Sequence, residues 1–206
     1  LPKWAVQQFG FTWAPEVTTI SNGTSGAPTF LMYFVVRFPT TSGGKQCIGT
    51  ATSDHPDGPF IPRDDQPFIC QLDQGGSIDP DSLVDDDGTR YVLWKNDGNS
   101  EGKRTWLYIQ PVSADGQTLQ GQPTALITND QPWEGNLVEA PILWKHAGRY
   151  YVFYSANDYF GRKYAVGYAV ASSITGPYTK PATTPFLASD SAAGISGPGG
   201  EDITVD

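Results

Sequence analysis

Apolar residues along this chain come in short runs, each cut off within a few positions by Gly, Pro, Asn or Asp. Even the longest stretch free of Gly and Pro, residues 149–160, has only 12 residues and begins Arg-Tyr-Tyr-Val-Phe-Tyr-Ser-Ala. Aromatic and β-branched residues in such a run favour a pleated strand over a helix. A first unit starts at Trp13, runs through 17–20, crosses a Gly/Ser turn at 22–28, and continues with strands at 29–38 and 46–53. His55-Pro56-Asp57-Gly58-Pro59-Phe60 then turns into a short outer strand. A second unit has strands at 81–84, 91–94 and 106–109, with a tight hairpin at Asp85-Asp86-Asp87-Gly88. Asp115-Gly116 turns it into an outer strand at 117–119. The third has strands at 141–145, 150–155 and 164–171, a first turn at His146-Ala147-Gly148 and a last at Thr175-Gly176-Pro177-Tyr178.

Three phrases open these units: Trp13-Ala14-Pro15-Glu16-Val17, Ser77-Ile78-Asp79-Pro80-Asp81, and Asn136-Leu137-Val138-Glu139-Ala140-Pro141. Their prolines lie 65 and 61 residues apart, and two of the three copies carry an acid at what reads as the same place. Gly58-Pro59-Phe60 and Gly176-Pro177-Tyr178 close the first and third units. Units of about four antiparallel strands repeating in the sixties are propeller blades, whereas a β-sandwich requires no such period. The expectation is an all-β propeller, a single partial domain over 1–206. Its blades begin near 13, 78 and 139, and a further blade starts near 196.

A chain of 206 residues buries a sizeable core. With 23 Gly, 17 Pro, 13% aromatic and 17% charged residues, the composition suits strands and turns and opposes disorder or a helical bundle. The net charge of −9 and the lack of a Lys/Arg cluster argue against nucleic acid as a partner. No apolar run approaches 18 residues, so no membrane partner is expected. An acidic, aromatic-rich surface is compatible with a neutral ligand such as a carbohydrate. Cys47 and Cys70 form one disulfide or stay two buried thiols. Their places, in a third strand and just beyond the outer strand of the same blade, allow a bridge if the Cα atoms approach within about 7 Å. Asn22-Gly23-Thr24 is an acceptor triplet for N-glycosylation. The chain starts at Leu1 with no signal-peptide pattern, which reads as a processed or partial product. Low lysine, acidity, the cysteine pair and the triplet together point to a secreted, extracellular protein.

In a propeller the innermost strands line the central channel. Trp13-Ala14-Pro15, Ile78-Asp79-Pro80 and Glu139-Ala140-Pro141 would then converge on one mouth of it. A negative Asp79 disfavours ionisation of Glu139 there, and burial pushes the same way. A carboxylic acid protonated near neutral pH is what a leaving oxygen needs as proton donor. The bland reading makes both acids turn or capping residues. Trp13 either stacks on a sugar ring or is packed inside. Asn96, Asp97, Asn157 and Asp158 end second strands and either reach the rim or cap loops. Asp85, Asp86 and Asp87 resemble a calcium-ligand run but are explained more simply as an acidic turn. His55 and His146 sit in turns and receive no role. No nucleophilic Ser/His pair, phosphate loop or CxxC metal site occurs.

The three opening phrases, in this order and at blade-length spacing, resemble those of glycoside hydrolase family 43 over essentially the whole chain. That family contains β-xylosidases, α-L-arabinofuranosidases and arabinanases on a five-bladed β-propeller. Related invertase-like propellers usually carry Arg-Asp-Pro and Glu-Cys-Pro where this chain has Ile-Asp-Pro and Glu-Ala-Pro. The resemblance implies that Glu139 is the general acid and that Asp79 raises its pKa and orients it. It also implies inversion, with a third carboxylate, the base, roughly 6.5–9.5 Å from the acid. The family keeps that base in an Asp-Pro phrase on the first blade. Residues 1–12 contain no aspartate, so the base is expected to be missing and the chain alone inactive. Ser196-Gly197-Pro198-Gly199-Gly200 resembles a Gly-Pro-Gly-His segment that opens the last blade. Gly200 stands where the histidine that helps some members bind a channel metal often lies, so no cofactor is assigned and a channel calcium is left in doubt. Three blades are expected to be complete, with the first and last of the five largely missing. Two function classes follow. One is a glycosidase acting on arabinose- or xylose-containing plant polysaccharides. The other is a non-catalytic carbohydrate-binding propeller or inactive truncated product.

Overall fold

The computed structural model describes residues 1–8, 12–21 and 28–204, Ser21 by its backbone only. Strands β1 (Thr12–Ser21), β2 (Pro28–Phe38), β3 (Lys45–Ser53) and β4 (Ile61–Pro62) pair in that order into one antiparallel sheet. A second sheet contains β5 (Ser77–Val84), β6 (Arg90–Asn96), β7 (Trp106–Val112) and β8 (Thr124–Thr128). The third contains β9 (Val138–His146), β10 (Arg149–Ala156) and β11 (Ala165–Ala171). Helix among the described residues is limited to 3₁₀ turns at Leu72–Gln74, Gly98–Glu101 and Pro132–Glu134. The glycosylation triplet lies outside the described residues.

Two outer strands differ from expectation. In the second blade the partner of β7 is β8, not residues 117–119. Those residues belong to a small excursion around the Asp115-Gly116 turn, where Ser113 N–H bonds Thr118 and Leu119 makes one bridge to Val112. The third blade has no continuous fourth strand among the described residues. Thr179 and Leu187 bridge singly to Val170 and Val166, and Pro181 and Pro185 between them lack the N–H groups a ladder needs.

The second strands of the first two blades are buried on both faces because alternate residues serve two interfaces. Leu31, Tyr33 and Val35 pack with Val92 and Trp94 between the first and second blades. Met32, Phe34 and Val36 pack on the opposite side with Trp4 and Phe60. Leu93 turns the other way and joins Val152, Tyr154 and Leu143 between the second and third blades. Each fully buried side chain of this size contributes about 1.5–3 kcal/mol. Cys47 and Cys70 form the disulfide, Cα atoms 4.7 Å apart, holding β3 to the segment beyond β4. Both Gly-Pro-aromatic phrases have a cis Gly-Pro bond.

Of the innermost strands, β5 lies between β1 and β9, and each is broken by the same bulge. The ladder slips at Ala14-Pro15, Asp79-Pro80 and Ala140-Pro141. The proline has no N–H to offer, and the residue before it takes a left-handed backbone: φ is 42° at Ala14, 52° at Asp79 and 48° at Ala140. An aromatic of the second strand faces each bulge: Phe34, Trp94 and Tyr154. Trp94 stacks on its third-strand partner Tyr108. Phe34 and Tyr154 instead lie over Gly49 and Gly167, where a Cβ would come within 2.8 and 2.7 Å of the ring.

Candidate active site

With the bulges superposed, Asp79 matches Ala14 and Ala140, while Glu139 matches Trp13 and Ile78. The two acids therefore do not share a register, contrary to the reading from the prolines. In a regular strand one position reverses the side-chain direction. Here the left-handed bulge residue and the step between blades bring the two phrases together: Asp79 Oδ2 accepts the N–H of Ala140 at 3.0 Å. The acids that do share a register are Glu16 and Asp81, each just after its proline. Each reaches the next blade at matching positions. Glu16 Oε1 accepts the Ser82 hydroxyl at 3.2 Å, and Asp81 Oδ2 accepts the Leu143 N–H at 2.8 Å.

Both oxygens of Glu139 are held. The Tyr164 hydroxyl donates to Oε1 at 2.7 Å, and Lys95 Nζ donates to Oε2 at 3.4 Å. Lys95 is fully buried on β6, and its ammonium also lies 3.7 Å from Asp97 Oδ1. Next to Tyr164, Ser155 Oγ donates to Glu201 Oε2 and accepts the Gly200 N–H, both at 2.9 Å. A cavity of about 310 Å³ opens beside this group, lined by Glu16, Asp79, Ala140, Gly200, Glu201 and Asp202.

Burial dominates the electrostatics. It pushes the Asp79 carboxyl up to about 6; the Lys95 ammonium opposes this, and the negative charge of Glu139 adds to it. Burial likewise raises Asp97, against Lys95, and raises Glu201. The Tyr164 phenol is raised by burial and then by the Glu139 charge, so it stays a neutral donor. At the inter-blade joint, burial lifts Asp81 to about 8 and Glu16 to about 6. The site is thus a set of carboxyls sharing few cations, with burial holding Asp79, Asp97 and Glu201 above the ordinary carboxylate range.

Other sequence candidates fall elsewhere. Trp13 is 43% exposed and lines a separate cavity of about 380 Å³ with Met32, Phe34 and Phe60, on the side of the first blade away from the second. Asn96 caps the loop to β7, accepting the Trp106 N–H and donating to the Arg104 carbonyl. Asn157 donates to the Trp133 carbonyl, and Asp158 accepts the Phe160 N–H. Of these four polar residues, only Asp97 joins the Glu139 group. Asp85 and Asp86 pair with Lys145, and Asp85 accepts the Tyr150 hydroxyl, as an acidic hairpin does. His146 stacks on Trp144. Among the described residues no three His, Cys, Asp or Glu side chains group to hold a metal ion. Lys95, Tyr164, Ser155 and Glu201 were not readable as site residues. A lysine ending an apolar strand and a tyrosine beginning one carry no local signal.

The model of glycosyl hydrolases family 43 matches residues 1–206. The chain belongs to glycosyl hydrolase family 43. An arabinoxylan arabinofuranohydrolase of Bacillus subtilis (strain 168) is 30% identical over 197 residues, covering 87% of this chain and 35% of the relative. Xylosidase/arabinosidase 43A of Humicola insolens is 30% identical over 189 residues, covering 75% and 53%. A crystal structure of a thermostable family-43 glycoside hydrolase superposes with a TM-score of 0.79 at 34% identity, over 92% of this chain and 60% of that one. An endo-1,4-β-xylanase structure from Bacteroides thetaiotaomicron VPI-5482 gives 0.72 at 30%, over 93% and 60%. The three sheets are accordingly blades of the family-43 propeller. The chain spans about half or less of the length of these two curated relatives.

Proposed function

We propose that this family-43 chain carries the acid side of the active site of a glycosidase. Its reaction is hydrolysis of O-glycosidic bonds in arabinose- or xylose-containing plant polysaccharides, with inversion. Glu139 protonates the leaving oxygen, and Asp79 modulates and orients it from the neighbouring blade. The observation that carries this reading is the meeting of the two phrases between the second and third blades. Asp79 is tied to Ala140, next to Glu139, and the Glu139 carboxyl is fixed through both oxygens. A fixed acid suits transfer of a proton to one position in the substrate. Inversion further requires a carboxylate about 6.5–9.5 Å from the acid to activate water. Trp13, 43% exposed in the separate cavity of the first blade, would stack on a sugar ring there rather than beside Glu139. The disulfide supports a secreted protein, and no helix among the described residues is long and apolar enough to cross a membrane.

The test is Glu139→Gln in the complete enzyme, with two leaving groups. On xylo- and arabino-oligosaccharides the rate is expected to fall by roughly 10²–10⁴-fold. On aryl glycosides, whose oxygen leaves with little protonation, it is expected to fall far less. An equal loss on both substrates refutes the acid role. Oligosaccharide binding without any hydrolysis by the complete wild-type protein assigns it to the carbohydrate-binding class instead.

A further inference from the structure

Lys95 is a buried cation on the second blade whose ammonium faces carboxylates from its own blade and from the next. It pairs with Asp97 just beyond β6 at 3.7 Å and with Glu139 on β9 at 3.4 Å; Asp79 on β5 feels its charge, and beyond Glu139 lies the phenol of Tyr164 just before β11. A lysine with no exposed surface is rare unless it is paired. This one is paired across the joint between two blades, with Glu139, the residue taken above as the proton donor. Tyr164 holds the opposite oxygen of that carboxyl from the third blade. We propose that Lys95 is a positioning residue. Its ammonium is the counter-ion that lets Asp79, Asp97 and Glu139 share one buried site, and with Tyr164 it clamps the Glu139 carboxyl in a single orientation.

The proposal rests on Glu139 as the acid only for its kinetic consequence; the charge compensation stands on the geometry. Without the ammonium, three carboxyls would face one another in a low-dielectric site, and the cheapest response is to take up protons and swing apart. A buried ammonium this close to the Asp79 group, paired at 3.4 Å with Glu139 and 3.7 Å with Asp97, is strong enough to move the titration of a neighbouring carboxyl by about a unit in a low-dielectric site. Arginine in place of Lys95 retains the charge, whereas methionine retains most of the volume and removes it.

The experiment follows the ¹³C carboxyl signal of Asp79 across pH in the wild-type chain, Lys95→Met and Lys95→Arg. Rates on xylo- and arabino-oligosaccharides are measured alongside in the complete enzyme carrying the same substitutions. In Lys95→Met the Asp79 midpoint is expected to rise by about one unit or more. The value of kcat is expected to fall at least ~10-fold with KM nearly unchanged. Lys95→Arg should restore most of both. An Asp79 midpoint unmoved in Lys95→Met overturns the proposal whatever the activity. If Lys95→Met does not fold, Asp97→Asn replaces it. Removing one claimant on the ammonium should lower the Asp79 midpoint, and no change again overturns the proposal. Failure of the general-acid reading shows separately, as Glu139→Gln retaining full activity on the oligosaccharides while the Asp79 titration still responds to Lys95.

Discussion

Asp81→Asn tests the electrostatics of the inter-blade joint directly. Asp81 is buried, accepts the Leu143 N–H at 2.8 Å and titrates near 8, chiefly because burial penalises its charge. Asparagine has the same shape, keeps an oxygen for Leu143 and cannot ionise. In the unfolded chain an aspartate titrates near 3.9. Between these two values the folded protein holds a proton that the unfolded chain has released. The stability tied to that proton is complete below about pH 4 and is lost as pH rises through about 8. A gap of about four units, at about 1.4 kcal/mol each, makes the loss as large as ~5 kcal/mol. A domain is stable by only about 5–15 kcal/mol, so the effect should dominate its pH profile. The assay is urea unfolding at pH 4 to 9, followed by the fluorescence of the six tryptophans. The wild-type curve should fall by several kcal/mol relative to the variant across this window, leaving Asp81→Asn the more stable protein at pH 9. Parallel curves would mean that Asp81 is ionised in the fold and that the burial argument is wrong.

Glu134 is fully buried and accepts four hydrogen bonds, from the Tyr154 hydroxyl, the Lys180 ammonium and the N–H groups of Asp130 and Gln131. Glu134→Ala strands these donors and should cost about 3–5 kcal/mol in urea unfolding; a cost under about 1 kcal/mol contradicts the account. Replacing Cys47 and Cys70 by serine opens a loop between positions 23 apart. It should lower stability by about 3 kcal/mol, read as a drop in Tm that reductant reproduces in the wild-type protein.

What could be read in the sequence was whatever is made locally. A proline that interrupts a strand, with the residue before it forced into a left-handed turn, leaves its mark within three letters, so the blade openings at Trp13, Ile78 and Glu139 were legible. The same prolines misled over register, because they locate the bulge but not which of two adjacent residues carries the acid. Outer strands were harder. Single bridges at Leu119, Thr179 and Leu187 need no pattern of their own, and β8 is held by what it pairs with rather than by strong periodicity. The clamp on Glu139 was beyond reach for a different reason. Tyr164 and Lys95 stand 25 and 44 positions from it in the chain, and each is an unremarkable residue where it sits. Lys95 acquires its meaning only because β6 places it at the joint where Asp79 has left its own ladder to bond Ala140 in the next blade. A buried charge of this kind is stable only when its partners arrive from elsewhere in the fold. The acid can be found from one strand, but the cation that makes its burial tolerable requires two blades to be in place.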